Sequence, residues 1–202
     1  NFASAEDCFQ HVSGYDSQQA NILKCSIKFL AGGLTTEKIS HAYKALAVEG
    51  GSASKEATFI AVLALNPASK ATEAKVYCDK SELKGLIYLA NLAVVGSSMA
   101  ALTLGGYNPA TDPNPPSPAQ VNAMIDACIP PGAGCDHATV GTAVLTLSES
   151  YCAGSNADSD VCGQINGAVA SSGGDPAVVA KQLFCMFDDP PKTYDANSNT
   201  CI

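Results

Sequence analysis

The residues best equipped for chemistry are nine cysteines (Cys8, Cys25, Cys78, Cys128, Cys135, Cys152, Cys162, Cys185 and Cys201) and three histidines (His11, His41 and His137). Cysteines can hold a metal, attack a substrate or bond to one another. Structural zinc sites draw on closely spaced Cys and His pairs. Here no CxxC occurs, the spacings are irregular and few histidines lie nearby. Scattered cysteines at this density suit an oxidising compartment and disulfides. Cys128 and Cys135 bracket Pro130-Pro131-Gly132-Ala133-Gly134, and Cys152 and Cys162 bracket Ala153–Val161. Each pair predicts a local bridge, and a Cys185–Cys201 bridge would pin the tail. Cys8 and Cys25 are counted among the bonded cysteines. Cys25, roughly 160° round its helix from Leu23, sits on the rim and could reach Cys8 or Cys78. One of these three is the odd thiol, buried or available to a second chain.

The histidines and acids point to no catalytic device. GxSxG, P-loop, HExxH and GxGxxG patterns are absent. His41 lies about 200° from the apolar Ile39 on its helix, and His137 occupies a first helical turn, where its cation would oppose the helix dipole. All three histidines are expected at the surface. Asn156-Ala-Asp158-Ser-Asp160 opens like a calcium loop and Gly163 stands correctly, but Val169 fills the position that needs a bidentate glutamate. Asp158 is better read as a helix cap, with Asp160 near the positive helix end. The expectation is a non-enzymatic protein with no metal and no cofactor.

Charge narrows the partners further. All 11 basic residues are lysine, and the net charge is −8. Without the arginine fork that recognises phosphate, and with this acidity, nucleic acid and anionic membranes are poor partners. Lysines and acids balance up to Lys84; beyond it only Lys181 and Lys192 face ten acids. That half is read as a solvated acidic surface.

The elements that must position these residues are helices. Hydrophobic residues make up 47% and charged residues 15% of the 202 positions, which argues against disorder. Ser117, Pro118 and Gln120 spell a capping box for a helix over 118–128, whose face is Val121, Met124, Ile125 and Cys128. Asp175 and Pro176 open a last helix that stops at Asp189-Pro190-Pro191. Further helices are expected over 5–12, 17–31 (with Ala20, Leu23, Ile27 and Leu30 on its apolar face), 36–48, 54–65, 70–78, 137–152 and 159–170. The fold class is therefore all-α, a disulfide-stabilised bundle of about 8–10 helices. Residues 105–117 carry too many Pro and Gly for a helix or strand. They would either divide 1–104 from 117–202 or, since each half alone is small, form a long crossover within the preferred single domain of 1–202.

Residues 85–106 bear no charge and are apolar nearly all round, so a helix over 86–104 must be central to the core or lie in a membrane. Asn91, Ser97, Ser98 and Thr103 interrupt it and no basic cluster follows it, which favours the core. Its small residues either let neighbouring helices approach or leave room for a guest. Leu86, Leu89, Ala93, Gly96 and Ala100 are the candidate cavity residues.

Asn1-Phe-Ala-Ser would suit a mature start after removal of a leader. The expected location is extracellular. The chain lacks the CC and CxC elements of plant lipid-transfer proteins and the C-x3-C and C-x8-C spacings of insect odorant-binding proteins. The leading expectation is a secreted binding protein enclosing an apolar small molecule or lipid. The alternative is a structural or surface-interaction protein acting through protein contacts, with a disulfide-linked dimer through the odd cysteine.

Overall fold

A computed structural model describes residues 2–47, 54–102, 107–109, 111–112, 114–129, 134–153, 159–188 and 190–202. Ten helices occur among them: α1 Phe2–Val12, α2 Gln18–Ala31, α3 Thr36–Leu46, α4 Lys55–Val62, α5 Ser69–Lys80, α6 Lys84–Ala100, α7 Pro118–Cys128, α8 His137–Ser150, α9 Ser159–Ser171 and α10 Pro176–Phe187. The protein is an all-helical bundle held by four disulfides, Cys25–Cys78, Cys128–Cys135, Cys152–Cys162 and Cys185–Cys201.

Local chemistry starts these helices where the sequence implies. Side-chain oxygens of Ser17, Thr35, Ser54, Asp136 and Asp175 each accept an otherwise orphaned N–H of the first turn. Ser117 and Gln120 form the full reciprocal capping box, with Pro118 at the first helical position. Asp158, the expected cap of α9, and the candidate calcium loop through Asn156 lie outside the described residues, apart from α9's own Asp160.

The apolar helix α6 packs against α4, α5, α7 and α8, and one continuous core runs through both halves of the chain. It begins at Lys84 and ends at Ala100, shorter than the expected 86–104. A methyl group on Gly96 would stand 2.1 Å from the Ile60 carbonyl oxygen, so α4 and α6 touch backbone to backbone there. The Ser97 hydroxyl accepts the Leu65 N–H at 2.8 Å. That bond satisfies the chain just after α4, which stops at Val62 although Leu63, Ala64 and Leu65 remain buried. No helix of the described residues is long and apolar enough to cross a membrane.

Two expectations are corrected. First, α2 does not bury its Leu23–Ile27–Leu30 stripe. Leu23 and Leu30 are 52% and 47% exposed, while Asn21, Lys24, Cys25, Lys28 and Phe29 face inward. The Cys25–Cys78 bridge turns that face onto α5. The lysine stems then cover apolar surface while their charges find partners: Lys24 donates to the Tyr15 carbonyl, and Lys28 reaches Glu6 and Glu73, both at 3.2 Å. Second, Cys8 is not bonded. Cys25 is fully buried against α5 and takes Cys78, which leaves Cys8 on the exposed side of α1. The tail, pinned by the expected Cys185–Cys201 bridge, forms a short antiparallel hairpin, β1 Tyr194–Asp195 with β2 Thr200–Cys201. Gln182 of α10 anchors it by accepting the Tyr194 N–H, and Lys181 donates to Asn199 at 2.9 Å.

Candidate functional site

At the C-terminal end of α6, between that helix and the segments after α4 and around Tyr107, lies a cleft of about 360 Å³. Its walls are Ala100 and Ala101, the segment Leu65–Ala68 that follows α4, and Tyr107–Pro109 from the proline-rich stretch. This volume lies in the range of small-molecule sites, which pair a mainly apolar lining with a few placed polar groups.

The polar groups are tied down. Asn66 donates its backbone N–H to the Gly32 carbonyl at 3.0 Å and its side-chain amide to Asn108 at 2.8 Å. The N–H groups of Thr111 and Asp112 return to the Asn108 carbonyl, and the Asp112 carboxylate accepts the Asn108 N–H. Asn108, Thr111 and Asp112 are thus tied together, with the Asp112 carboxylate beside the cleft wall. Tyr107 is only 3% exposed. Burial, reinforced by the Asp112 charge, pushes its phenol up to about 12. On α3, burial holds the Lys38 amine below its ordinary value, and Asp112 pulls weakly the other way. The Lys38 Nζ is out of solvent and has no hydrogen-bond partner. Asp112 therefore acts electrostatically on both a cleft residue and a buried, unpartnered amine.

Of the sequence-derived cavity residues, Ala100 borders this cleft; Leu86, Leu89, Ala93 and Gly96 do not. Ala93 is fully enclosed, and Leu86 and Leu89 are half-buried against the core. Gly96 serves the close approach to α4. Tyr107, which lines the cleft, was not expected at a site. The available signal was Tyr107 itself, the one aromatic residue within 105–117, a stretch read as a linker because of its prolines.

The histidines stand apart from the cleft lining. His11 is exposed and His41 half-buried. His137 is corrected from a surface role. It is half-buried, with its ring edge toward Phe184 and Nε2 2.8 Å from the Cys128 carbonyl. A carbonyl only accepts, so Nε2 carries the proton, and the bond satisfies an orphaned acceptor at the end of α7. Among the described residues no group of three His, Cys, Asp or Glu side chains could hold a metal ion.

Compared with family models, curated proteins and solved structures, the chain matches none.

Proposed function

We propose that this is a secreted, non-enzymatic binding protein that takes an apolar small molecule or lipid in the cleft at the end of α6. The cleft itself carries the proposal: about 360 Å³, walled by Leu65, Pro67, Ala68, Ala100, Ala101 and Tyr107, with Asn66 and Asn108 bonded to each other at its edge. The four disulfides fit an oxidising environment. They also stiffen the bundle, and a preformed site loses less free energy in ordering itself around a ligand.

Native mass spectrometry of the purified chain, with displacement of a fluorescent fatty acid, tests this. A retained ligand, or displacement weakened by Ala100→Trp, which fills the cleft, is expected. No retained mass and no displacement would overturn the proposal. Turnover in a broad hydrolase screen would overturn its non-enzymatic part.

A second reading, a surface-interaction protein, draws on one observation: Cys8 is unpaired and exposed. It predicts a disulfide-linked dimer on a non-reducing gel that Cys8→Ser abolishes. A strictly monomeric oxidised protein would count against it.

A further inference from the structure

We infer that the cleft takes an apolar chain carrying a carbonyl oxygen, as in a ketone, an ester or an acid, and that the Tyr107 hydroxyl donates the hydrogen bond that holds this oxygen. This rests on the cleft being the ligand site. Among the described residues three polar side chains line it: Asn66, Tyr107 and Asn108. Two are engaged with each other, since the Asn66 amide donates to the Asn108 side-chain oxygen at 2.8 Å. Tyr107 differs. It is only 3% exposed, and among the described residues its hydroxyl makes no hydrogen bond. A hydroxyl taken out of water without a partner is costly, and a ligand acceptor that meets it recovers that loss. Tyr107 borders the cleft, so the cleft is where such a partner can reach it.

The surroundings fix which half of the bond Tyr107 supplies. The Asp112 carboxylate accepts the N–H of Asn108, the next residue in the chain. Burial, together with that charge, keeps the proton on the phenol. At neutral pH the phenol is a donor, and a carbonyl oxygen is an acceptor with no proton of its own. The remaining wall, Leu65, Pro67, Ala68, Ala100 and Ala101, suits an apolar chain. A hydrocarbon of the same shape would fill the space and leave the hydroxyl as unpaired as before.

The test uses the whole oxidised chain and two probes of matched shape: 2-heptanone, and 2-methyl-1-heptene, in which a CH₂ group replaces the carbonyl oxygen. Amide NMR shifts on titration report both affinity and place. In wild type both probes should shift the amides of Ala100 and Ala101, the ketone at lower concentration. Tyr107→Phe removes only a hydroxyl that bonds to none of the described residues, so the variant is expected to fold. Its affinity for 2-heptanone should fall about three- to tenfold, the scale of one net hydrogen bond, while affinity for the alkene stays within about twofold. A role for Tyr107 in shaping the wall alone would move both probes alike. Ketone affinity equal in wild type and Tyr107→Phe, or an equal loss for both probes, would overturn the inference and leave the cleft standing. Wild-type protein that binds neither probe, or binds them without shifting those amides, would overturn the cleft as well.

Discussion

A methyl group at Gly96 has nowhere to go, because the Ile60 carbonyl oxygen stands 2.1 Å from where it would sit, and backbone cannot step aside as a flexible side chain can. Gly96→Ala should therefore lower stability by about 3 kcal/mol, read from the urea midpoint. Gly85 on the same helix has open space around its missing Cβ, so Gly85→Ala should be neutral or stabilising by up to about 1 kcal/mol. The contrast separates steric cost from helix propensity. Tyr107 offers a prediction in pH. Its folded value of about 12 lies above the ordinary 10.0, so the unfolded chain loses the phenolic proton first. Stability should fall as pH rises from about 10 toward 12, and Tyr107→Phe should remove that part of the alkaline loss. Urea midpoints across the range give the comparison. Neither residue role was legible in the sequence. Gly96 could equally have made room for a guest as for a neighbour, and only the position of Ile60 decides. Tyr107 sits among prolines, where periodicity says nothing.

At the level of elements, α1 is held differently from the rest. No residue of α1 whose side chain is described is fully buried. It is tied down by Glu6 to Lys70 at 2.7 Å and to Lys28 at 3.2 Å, with Phe9 beneath the Lys28 ammonium and edge-on to Tyr77. The Lys70 hydrogen bond, with Lys28, keeps the Glu6 carboxyl below its ordinary value. That contribution is present at neutral pH and lost as pH falls through the lowered Glu6 value. Hydrogen exchange should show 2–12 loosening first on acidification, and Glu6→Gln should show the same loosening at neutral pH. The bridges also differ in kind. Cys25–Cys78 closes a loop with a sequence separation of 53, whereas Cys128–Cys135 closes one of 7. Loop entropy gives about 4 kcal/mol for the first and about 2.5 for the second, so Cys25→Ala with Cys78→Ala should lower the denaturation midpoint more than the matching pair at 128 and 135. The local bridges and the Ser117 and Asp175 caps were legible because each needs only neighbours in the chain. The orientation of α2 was not, since Leu23, Ile27 and Leu30 make as good a stripe as the face that Cys25 and Phe29 turn inward. A contact with α5, fifty residues away, chooses between them.

On the scale of the whole molecule, eight of the nine cysteines pair and Cys8 remains. The native protein should therefore react with one equivalent of a thiol reagent before any denaturant is added, and Cys8→Ser should react with none. The odd count was legible; which thiol is left over depended on the α2–α5 packing. The two halves of the chain meet on α6, and Lys55 of α4 reaches Asp160 of α9 at 2.7 Å across them. An all-helical bundle around one apolar helix was readable because that helix lacks a polar face. The place of the cleft was not, because it depends on how the segment after α4 runs against the end of α6.

That position sets a depth. One turn back along α6 from Ala100, the Gly96–Ile60 contact and the Ser97–Leu65 hydrogen bond seal the two helices together. In the proposed site, a ligand chain running along Ala100 and Leu65 toward that contact would stop there. In a homologous series of straight-chain acids, each added methylene should strengthen binding by about 0.8 kcal/mol, roughly fourfold, while it still finds apolar wall. Past the length at which the tip reaches the seal, further methylenes stay in water and the gain should stop. The bundle would then act as a ruler, grading its ligands by length from one pair of helices in contact.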